Sequence, residues 1–298
     1  MTLSEPISQV ERGVSEPSAQ VTRPQGQGTG LHDELMGVVL VAAPANVIMQ
    51  LALPGVGYGV MESRVESGRI DRHPIKRART TLTYLAVARW GNEEQKRALR
   101  EAVDAAHAQV RSTPDSAVKY NAFDPNLQLW VAACLYKGAV DIYRTFVGEM
   151  DDEAAERHYR ESVVLGTTLQ MPAEMWPADR AAFDKYWNEQ LEKIHIDEPV
   201  RKFLYRIAVA RFPGLQLPGP LQRVPESIAL LITTGFLPQR FRDEMHLDWS
   251  PAKQRQFDAL MTAIRFGNNL VPSFVRAFPF NVLLHDVDWR MRTGRPLV

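Results

Sequence analysis

The chain has 298 residues, 45% of them apolar, with 35 basic and 35 acidic side chains and a formal net charge of zero. A chain of this length encloses ample core, and the balanced charge gives no reason to expect nucleic acid or an anionic membrane surface as partner, both of which favour a basic excess. The single cysteine, Cys134, excludes an intrachain disulfide and a cysteine-rich metal knuckle; within the apolar run WVAACLY it reads as a buried structural thiol.

Residues 1–30 are rich in Ser, Pro, Gln and Gly and carry neither a basic start nor an apolar h-region, so they read as a disordered tail and not as a secretory signal. Together with the lone cysteine this points to the cytoplasm. From Leu35 to Met61 no charged residue occurs, which is long enough for a membrane span. Pro44, Asn46, Gln50 and Pro54 interrupt the stretch, and the glycines of PGVGYG suggest a turn. Two short buried helices around a bend are therefore expected, with membrane association at most peripheral.

Helical signals dominate the remainder of the chain, and strand signals are scarce. His73-Pro74 opens a helix that runs through IKRARTTLTYLAVARW and stops at Gly91. Asn92 caps the next, NEEQKRALREAVDAAHAQVRS, whose acidic first turn suits the helix dipole. Asp124-Pro125 starts the apolar NLQLWVAACLYKGAVDIYRTFV, expected to be central, and Asp151 caps DDEAAERHYRESVVLGTTL. Helices are also expected from about Pro177 to Ile194 and from Glu198 to Phe212, then a proline-rich surface connection, FPGLQLPGPLQRVP, then two or three more. With no internal repeat and no second linker, residues 31–298 read as a single, orthogonally packed all-α domain.

Some polar residues sit where such a domain should be apolar. At about 100° per residue Leu99, Val103 and His107 stack on one side of their helix and Val110 returns to it, which would bury His107. On the preceding helix Arg77, Thr81, Tyr84 and Ala88 form one stripe, and Ile75, Ala78, Leu82 and Leu85 another. Two helices joined at Gly91 lie side by side, so Arg77 and Thr81 can face the cavity that receives His107. An arginine there calls for an anion, either a protein carboxylate or a cofactor propionate. The plain alternative is a surface arginine and a threonine bonded to its own helix.

Asp104-Ala-Ala-His107 and Glu192-Lys-Ile-His195 share the acid-x-x-His spacing of di-iron carboxylate bundles, without a clear pair of further inward glutamates. Glu62 is a candidate general base. Walker, GxSxG and HExxH motifs are absent, so hydrolase and nucleotide-binding readings have no support.

The ordered set QLALPGVGYGV, RARTTLTYLAVARWG, AHAQVR, KYNAFDPNLQLWVAACL and LQMPAEMWPADRAAFDKYW resembles the oxygenase MpaB family, mostly helical proteins that include the latex clearing proteins and bind b-type haem. The resemblance covers Leu35 to Trp187 and, more loosely, RAFPFNVLLHDVDWRMRTGRP. It implies a domain enclosing haem b, with O₂ as co-substrate and a small or lipid-like organic molecule as the substrate. The family's haem-ligating histidine falls on His107 in AHAQV, and its arginine and threonine, four residues apart, fall on Arg77 and Thr81. Arg77 would then pair with a propionate or polarise oxygen, and Thr81 would donate a hydrogen bond to it. Tyr84, on the same stripe, would contact the cofactor, and Arg111, one turn after His107, would reach a propionate.

Two departures bear on the reaction. Leu53 stands before Pro54 where many relatives have histidine, and Thr80 stands where the latex clearing proteins carry a lysine able to take the second axial site. Rubber cleavage is therefore not implied. The apolar stretch from Leu35 to Met61 and the tryptophans Trp130 and Trp176 would suit an apolar pocket or an ordinary core. Two other readings stand beside this one: a helical scaffold with a structural His107, and a di-iron oxygenase using His107 and His195. Homodimerisation is left open.

Overall fold

The computed structural model describes residues 37–298 apart from 66–68, 71, 213 and 215–217, so the expected tail at 1–30 lies outside the described residues. Among those residues there is no strand, only one isolated antiparallel bridge between Arg111 and Asn121.

A 3₁₀ turn, Gly37–Ala42, leads into α1 (Ala43–Leu51), and α2 (Pro54–Met61) follows at 109° to that run. Both helices have proline in the first turn, where the missing N–H has no intrahelical partner to lose. The bend lies at Ala52–Leu53, so the glycines of PGVGYG are helical and do not form the expected turn. A Cβ on Gly57 would lie 2.5 Å from the Leu51 carbonyl oxygen, and only glycine lets α2 fold back this closely. No single helix among the described residues is long and apolar enough to cross a membrane.

The polar side chains of α1 tie it to α5 (Pro125–Phe146). Asn46 Nδ2 donates to the Cys134 carbonyl at 2.6 Å, Gln50 Nε2 to Asn46 Oδ1 at 2.6 Å, and Trp130 Nε1 to the Gln50 carbonyl at 3.0 Å. Satisfied in this way, they sit inside a helix pair without the cost of orphaned polar groups.

The expected starts of four helices hold. α3 is Pro74–Trp90 and α4 is Glu93–His107. α4 opens on a capping box in which Asn92 accepts from the Gln95 backbone at 2.8 Å and Gln95 Oε1 accepts from the Asn92 backbone at 2.9 Å. Asp124 and Asp151 cap α5 and α6 (Asp152–Glu161) through their side chains.

Several ends differ from expectation. α6 stops at Ser162, and the pattern resumes only as the four-residue α7 (Val164–Thr167). α8 (Arg180–Leu191) begins after Asp179, whose side chain accepts from the Ala182 backbone. α9 (Glu198–Ala208) ends short of Phe212, because Ala210 turns the chain with φ of 52°. Five helices follow where two or three were expected: α10 (Arg223–Phe236), α11 (Gln239–Glu244), α12 (Pro251–Leu270), α13 (Ser273–Arg276) and α14 (Phe280–Thr293).

The main core is strongly aromatic. Trp130 stacks on Trp187 at 5.1 Å, and Tyr136 is ringed by Tyr159, Trp176 and Phe183. Trp130 and Trp176 thus belong to the core and not to a pocket wall. A second, smaller core joins α14 to α3 and α4 through Val87, Leu99, Val287 and Leu297. Arg79 meets Asp286 at 3.1 Å, and Gln95 donates to Asp288 at 2.7 Å. This packing fixes the two helices that carry Arg77, Thr81 and His107.

Candidate functional site

A cavity of about 260 Å³ lies where α2, α3, α4, α5 and α7 converge. Its floor on α2 is narrow and apolar, with Gly55 and Gly59 one turn apart between Val56 and Val60. α5 supplies Leu127, Val131 and Leu135, and α4 supplies Val103 and His107. The polar stripe of α3 faces this space, with Arg77, Thr80, Thr81 and Tyr84 all on the wall. The companion apolar stripe is split: Leu82 and Leu85 pack against α14, whereas Ile75 is 71% exposed.

Arg77 is the one charged side chain among the described residues that line the cavity. Burial lowers its pKa below the ordinary arginine value, and the guanidinium forms no ion pair among the described residues. The protein-carboxylate alternative is therefore not realised there. Tyr84 is held by a hydrogen bond from its hydroxyl to the Leu165 carbonyl, and burial pushes its pKa well up, so it stays a neutral phenol. The Thr80 hydroxyl donates to the Lys76 carbonyl at 3.0 Å.

His107 is the last residue of α4. The helix ends there, so Val110 reaches the cavity through the following turn and not by continued helical period; its N–H donates to the His107 carbonyl at 2.9 Å. Nδ1 of His107 is buried without a hydrogen bond, which is costly for a polar atom that keeps no partner. Burial holds the imidazole below the ordinary histidine range; hydrogen bonding by Gln170 opposes this, and the charge of Arg77 adds to it. Phe123 meets the ring edge-on at 6.1 Å.

Behind His107 runs an amide chain that sequence reasoning missed. Gln170 Nε2 donates to Asp104 Oδ1, and Gln128 Nε2 donates to Gln170 Oε1 and, at 2.8 Å, to the Ala122 carbonyl. Asp104 therefore serves this chain. The sequence offered no signal for Gln170, which lies 66 residues from Asp104.

Arg111 is not brought into the cavity. It is exposed and lines a separate outer cleft with Glu62, Arg64 and Asp115. Ser63, Val110 and Tyr120 line both spaces, and Glu62 accepts hydrogen bonds from Ser116 at 2.7 Å and Tyr120 at 2.8 Å. The di-iron arrangement is not assembled either. The His195 side chain is 68% exposed beside Glu244, and among the described residues no three His, Cys, Asp or Glu side chains are placed to share a metal ion.

Residues 32–266 match the family described as ER-bound oxygenase mpaB/B'/Rubber oxygenase, catalytic domain. The chain is 51% identical over 254 residues to uncharacterized protein Mb2261 of Mycobacterium bovis, and equally to uncharacterized protein Rv2237 of Mycobacterium tuberculosis. Each alignment covers 85% of this chain and 98% of the relative. No solved structure matches.

Proposed function

The chain belongs to the mpaB and rubber oxygenase catalytic-domain family, and on that premise we propose that it is a haem b-dependent oxygenase using O₂ to oxidise a small, lipophilic organic substrate. The observation that carries the proposal is the buried, unbonded Nδ1 of His107 on the wall of an apolar cavity whose one charged side chain among the described residues, Arg77, has no ion pair among them. That donor set fits haem b: an imidazole for iron, a cation for a propionate, and apolar walls for the macrocycle. Bound there, haem would supply a redox-active iron able to activate O₂.

The chain's own residues then have separate tasks. The depressed pKa of His107 keeps the imidazole neutral at pH 7, with a lone pair available to a metal. Arg77 holds an anionic group against the α3 wall, offsetting the cost of its own burial. Thr81, one turn further along, presents a hydroxyl to the same space. Tyr84 is spent on the Leu165 carbonyl and shapes the wall by tying α3 to α7. The valines and leucines of α2, α4 and α5 exclude water and match an apolar substrate. Thr80 offers no amine at the place where a lysine could serve as second ligand.

The test is the absorption spectrum of protein produced with ample haem, ferric and dithionite-reduced, beside His107→Ala. We expect a Soret band in the wild type that is lost or strongly shifted in the variant. A well-folded wild type without a Soret band would overturn the proposal.

A further inference from the structure

Arg100, Asp104 and His107 follow one another along a single face of α4, and the first two grip the turn after α7. Arg100 donates from Nε to the Thr168 carbonyl at 3.1 Å and from Nη2 to the Thr167 carbonyl, which satisfies acceptors left over at that helix end. Two residues further on, Gln170 joins α4 to α5. Its Nε2 donates to Asp104 Oδ1, its Oε1 accepts from Gln128 Nε2, and its backbone N–H donates to Gln128 Oε1 at 3.2 Å. Gln128 is buried and anchored in turn to the Ala122 carbonyl at 2.8 Å.

These partners allow the Gln170 amide one orientation. A carboxylate only accepts, so the NH₂ end faces Asp104; the oxygen end faces the Gln128 donor and keeps a second lone pair. His107 lies one turn beyond Asp104 and is hydrogen-bonded by Gln170 in the direction that favours a protonated ring, as an acceptor does. A neutral imidazole that offers a bare nitrogen to the cavity carries its proton on the other nitrogen, and that N–H needs an acceptor. Arg100 already ties the α7 turn to α4, so that tie does not require the amide chain, which ends beside the imidazole of the cavity wall.

We propose that Gln170, oriented by Asp104 and Gln128, is a positioning residue for His107: its Oε1 accepts the imidazole N–H, fixes one neutral tautomer with the opposite nitrogen bare, and relays the pull of the Asp104 carboxylate to the ring. Its consequence for iron rests on the haem reading, since a ring held in this way is a stronger donor and favours the ferric state. The tautomer itself belongs to the protein alone.

The test begins with nitrogen-15 NMR of haem-free, histidine-labelled protein at a pH where imidazoles are neutral, with His107 assigned through His107→Gln. One tautomer is expected in the wild type and in Asp104→Asn, whose amide oxygen still accepts from Gln170, and a mixture in Gln170→Leu. In haem-loaded protein Gln170→Leu should raise the reduction potential and weaken haem retention by about tenfold or more. A wild type that populates both tautomers overturns the proposal without any variant. So does a Gln170→Leu protein that keeps the wild-type thermal transition and also the wild-type tautomer or potential. A single tautomer lost in Gln170→Leu, in protein that gives no Soret band, supports the role of Gln170 and removes the haem reading, so the two fail separately.

Discussion

Arg77 and His107 share one cavity, and each carries a cost that the protein alone does not offset. The guanidinium is desolvated with no counter-ion among the described residues, so the ligand-free fold is destabilised by it. Arg77→Met keeps much of the volume and removes the charge. The ligand-free variant should gain about 1–3 kcal/mol in urea unfolding while retaining haem less well; a less stable variant would show that the arginine has a protein partner. For His107 the folded pKa is lowered, so near its ordinary value of 6.5 the unfolded chain holds more protons than the folded one. Stability from this group is complete above that pH and is lost as the pH falls through it. His107→Gln should flatten the pH dependence of the ligand-free unfolding midpoint below about pH 6.5, and an unchanged slope would assign it to other groups. Helical period made Arg77, Thr81 and His107 legible in the sequence, because each lies within one turn of a residue on the same wall. It also placed Arg111 one turn beyond His107, and this failed because α4 ends at His107. Period has no bearing on Gln170, which arrives from a distant segment.

At the scale of elements, the cavity floor depends on how sharply α2 folds back on α1. Gly57→Ala would press a methyl against the Leu51 carbonyl and, at 3.4 Å, against Val200, with no flexible side chain to yield on the first side. A loss of about 1–3 kcal/mol is expected, with impaired haem retention, since α2 carries Gly55, Val56, Gly59 and Val60 along the wall. Gly267, in the open on α12 with nothing within 4 Å of an added Cβ, is the contrast. There, alanine should stabilise by about 0.5–1 kcal/mol through helix propensity. Thermal unfolding of both variants reads the difference, and equal effects would refute the close-approach account. Helix starts were legible where an Asp or Asn cap stood before the pattern, as at Asn92, Asp124 and Asp151. Ends were not, because they depend on tertiary facts such as the left-handed Ala210 and the break at Ser162. The bend itself was foreseen, but PGVGYG was misplaced as its turn: a glycine chosen for close packing inside a helix looks the same in sequence as one chosen for a turn.

Across the whole molecule, averages hid what mattered. Net charge, summed over the chain, does not show that the most exposed aromatic residues, Phe266, Phe274 and Phe278, fall within thirteen residues of one another. The all-α class was legible from the pattern as a whole, whereas the dependence of α3 on a helix two hundred residues later was not. The family match stops at residue 266, but α14 covers α3 with Phe280, Leu283 and Val287, and Leu297 joins the core of Val87 and Leu99. Val298 reaches the cavity wall itself. Burial of these four larger side chains contributes roughly 1.5–3 kcal/mol each before entropy is counted. Their sum is comparable with the net stability of a typical domain. A chain ending at residue 266 would also expose Ala86 and Val87 and leave Arg79 and Gln95 without Asp286 and Asp288. We therefore expect the 1–266 truncation to be poorly soluble or to lose its cooperative thermal transition, and to retain no haem. If it unfolds cooperatively near the wild-type temperature, α14 is an accessory layer, and the site on α3 is held by α2, α4, α5 and α7 alone.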